Sequence, residues 1–333
     1  MAAWTINDFG GPEVFERQEQ SVPEIDAREV LVRVHATSVN PVDYKIRRGD
    51  AKGLCPSWPA TLHGDVAGTV VAVGDEVTAF EKGDEVYGCA GGYVGAPHGA
   101  LADYMPCDAR LLAPMPQSLS FREAAALPLV TLTGWEALID KADVEEGEQV
   151  LVHGATGGVG HVGVQLAADR GCTVTTTASS RRKLEIGRDL GADHLVNYTE
   201  EPVTDYVERL TDGTGFDVVF DTVAGENFHR SVEAARIDGA VATVNPQTNL
   251  DLRPAYNKAL TLHLVLMLTP IVQGVGRAHH GEILRRVARL VDEGRLRPLV
   301  DDRSFTFDEI GDAHAYAEAK KQIGKVAVVH PDA

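Results

Sequence analysis

VLVHGATGGVGHVGVQLA, residues 150–167, runs an apolar strand straight into a glycine-rich turn and then into a helix. Glycine lets the backbone turn tightly and approach a pyrophosphate, which then lies against the partial positive charge of a helix N-terminus. Two registers of G-x-G-x-x-G fit: Gly158-x-Gly160-x-x-Gly163 literally, and Ala155-x-Gly157-x-x-Gly160 with alanine in first place. The bare pattern is weak, and the strand before it and the helix after it supply the context it needs. Ala155, Thr156, Gly157, Gly158, Val159 and Gly160 are therefore the candidate pyrophosphate contacts. The competing reading is a close-packed glycine turn with no ligand.

Outward from this turn, strands and helices alternate. TVTTTA (173–178), HLVNY (194–198), FDVVFD (216–221) and GAVATV (239–244) read as strands. RRKLEIGRDL (181–190) and NFHRSVEAAR (227–236) read as helices between them. Such alternation predicts a doubly wound parallel sheet, a Rossmann α/β domain. The first 110 residues differ: short alternating runs such as EVLVRVHATSV (29–39) and GTVVAVG (68–74), with close turn signals, predict a compact β domain. Between the two, FREAAALPLVTLTGWEALID (121–140) reads as helix broken near Pro128, with Ser120 and Glu123 in a capping-box pattern. GEILRRVARLVDEG (281–294) is an amphipathic helix, and RPLVDDRSFTF (297–307) reads as extended. A last helix (308–321) and the strand KVAVV (325–329) close the chain. This closing part is expected to rejoin the first domain, giving 1–123 with 266–333, and 124–265 for the Rossmann domain.

The chain has 333 residues and a formal net charge of −18, from 49 carboxylates against 31 Lys and Arg. That field repels phosphate backbones, so nucleic acid is not expected as a partner. It also fits a halophilic, salt-adapted surface, with an ordinary acidic cytoplasmic protein as the other reading. The most apolar run, 260–272, contains His263 and Pro270 and is too short to cross a membrane. No secretory leader is recognisable in the first residues, so a cytoplasmic location is expected. Four scattered cysteines form no C-x-x-C pair, which argues against a zinc ribbon or a disulfide scaffold. His279-His280 is expected to be a cap region rather than a metal site.

The far end of the dinucleotide decides between cofactors. NAD-selective folds place a carboxylate about 20 residues after the turn, on the ribose 2′-hydroxyl. Here CTVTTTASSRRK (172–183) ends in Ala178-Ser179-Ser180 and continues into Arg181, Arg182 and Lys183. A 2′-phosphate needs donors and positive charge, so NADPH is expected. The other reading of the basic triplet is a solvated first helical turn.

With these residues in view, the chain resembles the zinc-independent medium-chain dehydrogenase/reductases, the quinone oxidoreductase (zeta-crystallin-like) and enone oxidoreductase group. The resemblance rests on SVNPVDYKIRRGD (38–50), HGDVAGTVVAVG (63–74), FEKGDEVYG (80–88), LPLVTLTGWEAL (127–138), residues 154–167, LGADHLVNY (190–198) and GKVAVV (324–329). It implies a GroES-like β-barrel-type substrate domain, the Rossmann domain, an active site in the cleft between them, and a homodimer formed along LTLHLVLML (260–268). It places Lys183 and Tyr198 at the 2′-phosphate, with Ser179 and Ser180 beside them, and Thr131 near the nicotinamide. The positions where zinc-dependent relatives carry their ligands hold Asn40, Gly64 and Leu129, none of which ligates zinc.

Without a metal, the chemistry that remains is hydride transfer to a quinone or to the C=C bond of an α,β-unsaturated carbonyl. The protein must then stabilise negative charge developing on oxygen. Lys45 and Tyr87 stand where plant enone reductases of this group carry a Lys and Tyr pair holding the enolate oxygen, and Asn40 joins them as a candidate catalytic residue. Asn40 and Asp43 are expected to shape the loop there, and Tyr44 to pack over the nicotinamide or to line the substrate pocket. The alternative from another class is a NADPH-binding structural or sensory protein without turnover.

Overall fold

The computed structural model describes residues 1–244 and 250–332, and the chain divides into two compact units. The first holds Met1–Leu129, Leu268–Gly294 and the chain from Pro298 onward; the second holds Val130–Met267 with Arg295–Arg297. The divisions fall at 129/130 and 267/268, against the 123/124 and 265/266 expected from sequence.

The first unit is built on strands β1 (Ala2–Ile6), β2 (Phe15–Glu19), β3 (Glu29–Val39), β4 (Ala60–Thr61), β5 (Asp65–Val73), β6 (Glu85–Cys89), β7 (Tyr104–Asp108) and β8 (Leu112–Pro114). β3 pairs antiparallel with β5 and β7, β5 with β6, and β6 with β8, while β1 joins β2 and β4 in a small second sheet. Val30, Val32 and Val34 alternate inward along β3 and bury to within 1% of complete coverage. After β3 the expected loop is instead a helix, α1 (Pro41–Arg48). The local sequence accounts for it. Asn40 occupies the N-cap with Pro41 next, Asp43 stands in the first turn, Lys45, Arg47 and Arg48 end it, and Gly49 takes the left-handed conformation at φ 82°. Helices α2 (Phe121–Ala124) and α3 (Pro128–Trp135) flank the expected break, and α3 continues into a π-helical turn, Glu136–Lys141. Ser120 caps α2 with Glu123 completing the box.

The second unit carries β9 (Gln149–His153), α4 (Gly158–Asp169), β10 (Thr173–Ala178), α5 (Arg181–Asp189), β11 (His194–Asn197), α6 (Val203–Thr211), β12 (Phe216–Asp221), α7 (Asn227–Ala234), β13 (Ala235–Thr243), α8 (Arg253–Asn257) and β14 (Thr261–Leu264). Among the described residues the strand order is β11-β10-β9-β12-β13-β14, all parallel. The central strand β9 contributes Val150, Leu151 and Val152 with no exposed surface, as a strand covered on both faces must. Gly163 of α4 allows the helix to approach this sheet, since a Cβ there would stand 2.9 Å from the Phe220 ring. Of the strand expected over 260–268, only Thr261–Leu264 pairs, because Pro270 opens the short helix α9 (Thr269–Gln273) close behind it.

The chain then returns to the first unit with α10 (Arg277–Asp292), β15 (Phe305–Thr306), α11 (Ile310–Glu318) and β16 (Val326–Val329). β16 pairs antiparallel with β3. α10 begins earlier than expected, so His279 and His280 lie in its first turn, not in a cap, and His280 is fully buried. Among the described residues no helix is long and apolar enough to cross a membrane.

Candidate active site

At the turn after β9, Gly154 takes φ +79° and Gly157 occupies the N-cap of α4. A glycine N-cap has no side chain to spend on the helix, so the first-turn amides of Gly158, Val159 and Gly160 are left for an anion. Gly160 packs directly against the turn: a Cβ would stand 2.0 Å from the Gly154 carbonyl oxygen. Of the two glycine registers, Ala155-x-Gly157-x-x-Gly160 therefore lies on the turn itself, and Gly163 is the glycine of helix-to-sheet contact. Ala155 is buried, Thr156 is nearly so, and Gly157 is exposed.

At the end of β10, Ser179 and Ser180 are exposed and no carboxylate occupies the first turn of α5. The amide of Tyr198 donates to the Ala178 carbonyl at 3.2 Å, which brings Tyr198 alongside Ser179. Arg181 pairs with Glu185 one turn on at 2.9 Å, leaving Arg182 and Lys183 as the basic groups there without such a bridge. These residues fit the adenosine end of a phosphorylated dinucleotide, and the side-chain-free cradle fits its pyrophosphate. Thr131, on α3, is fully buried.

His153 was not singled out from sequence. It ends β9 with Nδ1 3.2 Å from the Thr177 hydroxyl and a buried Nε2 that has no hydrogen-bond partner. Burial lowers its pKa to about 4, so it is neutral near pH 7.

The second group of residues surrounds Asp65 in the first unit. The Asp65 carboxylate is fully buried and accepts from the Ser38 hydroxyl at 2.6 Å, the Asn40 amide at 2.7 Å and the Leu129 backbone N–H at 2.8 Å. Lys325 Nζ lies 3.6 Å away, and donates to the Val39 carbonyl at 3.0 Å and to Asn40 Oδ1. Asn40 is thus held at both ends of its amide, Nδ2 on Asp65 and, at 3.5 Å, on the Ser38 carbonyl, and Oδ1 on Lys325, which opposes its expected catalytic role. All three positions of the absent zinc ligands meet here, Asn40 and Leu129 through hydrogen bonds and Gly64 through its neighbour Asp65. Among the described residues no group of three or more His, Cys, Asp or Glu could hold a metal ion.

Asp43, fully buried on α1, accepts from the Asn40 N–H at 2.7 Å and from the Tyr93 hydroxyl at 3.4 Å. Burial drives its pKa up to about 7 against the backbone hydrogen bond. A buried chain of hydrogen bonds adjoins it. The Thr37 hydroxyl donates to the Asp65 carbonyl at 2.6 Å, so its oxygen must accept from His63 Nδ1 at 3.2 Å. His63 Nε2 then accepts from His314 Nε2 at 2.8 Å, and His314 Nδ1 accepts from Arg47 at 3.3 Å. Both imidazoles are neutral because burial depresses them, His63 to about 3. His63 is a packed residue of this chain of hydrogen bonds.

Lys45 stands on α1, half-buried, and burial with the neighbouring Arg48 lowers its pKa. Tyr44 beside it is half-buried, with the Arg48 guanidinium 5.7 Å from its ring centre. Tyr87 does not join them, which corrects the expected pair. Its ring is fully buried and its hydroxyl donates to the Leu284 carbonyl of α10 at 2.7 Å. Burial pushes that phenol far above its ordinary pKa.

Comparison with known proteins follows the same division. A family model for the alcohol dehydrogenase GroES-like domain matches residues 26–117, and one for zinc-binding dehydrogenase matches residues 190–328. The chain is 32% identical to a chloroplastic NADPH-dependent alkenal/one oxidoreductase of Arabidopsis thaliana, over 99% of this chain and 80% of that protein. It is 34% identical to a quinone oxidoreductase of Rattus norvegicus over 76% of each chain. An alcohol dehydrogenase superfamily protein from Novosphingobium aromaticivorans superposes with a TM-score of 0.94 at 38% identity, covering 99% of both chains. The chain belongs to the zinc-independent medium-chain dehydrogenase/reductases, in the quinone and enone oxidoreductase group.

Proposed function

We propose that this protein is a NADPH-dependent oxidoreductase acting on quinones or on the C=C bond of α,β-unsaturated carbonyls. The observation that carries the reading is the turn after β9, where Gly160 leaves no room for a side chain and Gly157 leaves the α4 amides uncapped. Gly158, Val159 and Gly160 would hold the pyrophosphate through backbone N–H groups. Ser179, Ser180, Lys183 and Tyr198 would hold the 2′-phosphate, with Thr131 on the nicotinamide side. When bound, the reduced nicotinamide supplies hydride to an electrophilic carbon of the acceptor.

The chain's own part is charge stabilisation on oxygen. Lys45 is the group for it, since burial and the neighbouring Arg48 lower its pKa and make its ammonium a better proton donor. Tyr44, on the same helical turn, lines the acceptor site. The Tyr87 hydroxyl is committed to the Leu284 carbonyl, and the Asn40 amide N–H groups face Asp65 and the Ser38 carbonyl.

Among the described residues β14 is the edge strand of its sheet, and Leu264 with Leu266 just beyond it are more than half exposed, which supports a homodimer formed by edge pairing. Four free cysteines fit a reducing compartment such as the cytoplasm. The test is a NADPH-consumption screen over enones, quinones and aldehydes at low and high salt, with NADH in parallel. Tight NADPH binding without oxidation by any acceptor would leave the structural or sensory alternative instead.

A further inference from the structure

We propose that Lys325 is a positioning residue for turnover, whose buried ammonium clamps α1 and the start of α3 through Asn40 and Asp65. The proposal rests on the reading of Lys45 as the oxygen-stabilising group, because α1 carries it. The geometry joins four segments distant in sequence. Lys325, one residue before β16, donates to the Val39 carbonyl at the end of β3 and to Asn40 Oδ1 at the cap of α1. Asp65, opening β5, accepts from the other end of the same amide and from the N–H of Leu129. Leu129 is the second residue of α3, two before Thr131.

The cation and the carboxylate therefore grip one amide from both sides. Its orientation is fixed, since Nδ2 must face the carboxylate and Oδ1 the ammonium. Lys325 is 4% exposed, and Asp65 and Asn40 are not exposed at all. A buried ion pair is a poor source of net stability, because desolvating two charges offsets their attraction. Satisfied as fully as this one, it fixes geometry instead. Lys325 touches neither acceptor nor cofactor in this reading and acts through α1.

The experiment compares Lys325→Met with the charge-balanced pair Lys325→Met/Asp65→Asn. For each, kcat on a short aliphatic enone, the Kd for NADPH, the thermal midpoint and hydrogen exchange of residues 41–48 are measured. Lys325→Met is expected to lower kcat at least tenfold, to leave the NADPH Kd within twofold, and to speed exchange in α1 at least tenfold. The double variant, which buries no lone charge, is expected to regain the thermal midpoint and folding but not kcat or α1 protection. If Lys325→Met fails to fold, the double variant carries the test. Recovery of wild-type kcat in the double variant would reduce the pair to charge balance and overturn the proposal. So would unchanged α1 exchange or unchanged kcat in either folded variant. Failure of the wild type to reduce enones or quinones would instead sink the functional reading, while α1 exchange would still decide whether the clamp positions the helix.

Discussion

At the turn after β9 the working groups are backbone amides, and what counts is which side chains are missing. Around Asp65 the reverse holds: side chains from three separated segments and a backbone N–H from a fourth are spent on one another, and Lys45 on α1 is the proposed donor. The first region is contiguous in sequence and tolerates no added carbon at Gly160. The second is assembled only by folding and tolerates no unpaired charge. In the proposed function a nucleotide common to many enzymes is held by a local motif, whereas the acceptor side depends on long-range burial.

Five substitutions, one of them followed across pH, probe that contrast. Lys45→Ala removes the proposed oxygen donor and should lower kcat on enones on the order of 100-fold with the NADPH Kd unchanged, read by steady-state kinetics. Unchanged turnover would move catalysis off α1. Gly160→Ala forces a Cβ to within 2.0 Å of the Gly154 oxygen. NADPH binding should weaken about 30-fold, as overpacking costs of a few kcal/mol imply, and fluorescence titration reads it. Lys183→Ala should narrow the preference for NADPH over NADH about tenfold, the worth of one charge-assisted hydrogen bond, measured as a ratio of kcat/KM values.

The pH series separates two buried groups of opposite sign. Folded Asp43 keeps its proton up to about pH 7, whereas the unfolded side chain releases it above 3.8, so this carboxyl removes stability as pH rises through that window. His63 stays neutral when folded but gains a proton when unfolded below 6.5, so it removes stability as pH falls from 6.5 toward 3. Asp43→Asn should therefore gain in thermal midpoint over wild type from pH 4 to pH 7 and level off above. A difference independent of pH would mean that Asp43 is ionised in the folded protein. Tyr87→Phe should give the smallest effect: kcat within twofold, and about 1 kcal/mol of stability lost with the hydrogen bond to Leu284. A large loss of turnover would restore Tyr87 to the acceptor site.

Much of the architecture was legible in the chain. β3, β10 and β12 coincide with the runs read at 29–39, 173–178 and 216–221, because their apolar periodicity is local and strong. The cap of α2 was legible for the same reason. α1 was missed although Asn40, Pro41, Asp43 and Gly49 spell a helix with both ends capped. Eight residues with few apolar positions gave no periodic signal to compete with the loop reading. Tyr87 was misassigned because its spacing from Lys45 says nothing about which face of β6 it occupies, and that face packs on α10.

Sequence alone determined the cofactor and the doubly wound sheet, since glycine spacing, strand alternation and the missing carboxylate after β10 are properties of contiguous chain. Tertiary structure alone decided which polar groups remain to do chemistry. Lys325, Asn40 and Asp65 meet across up to 285 residues of chain, and their hydrogen bonds engage Asn40, which the family resemblance had offered as a catalyst. The reason is physical: a buried polar group must find its partner, and the partner's position in the chain is set by packing.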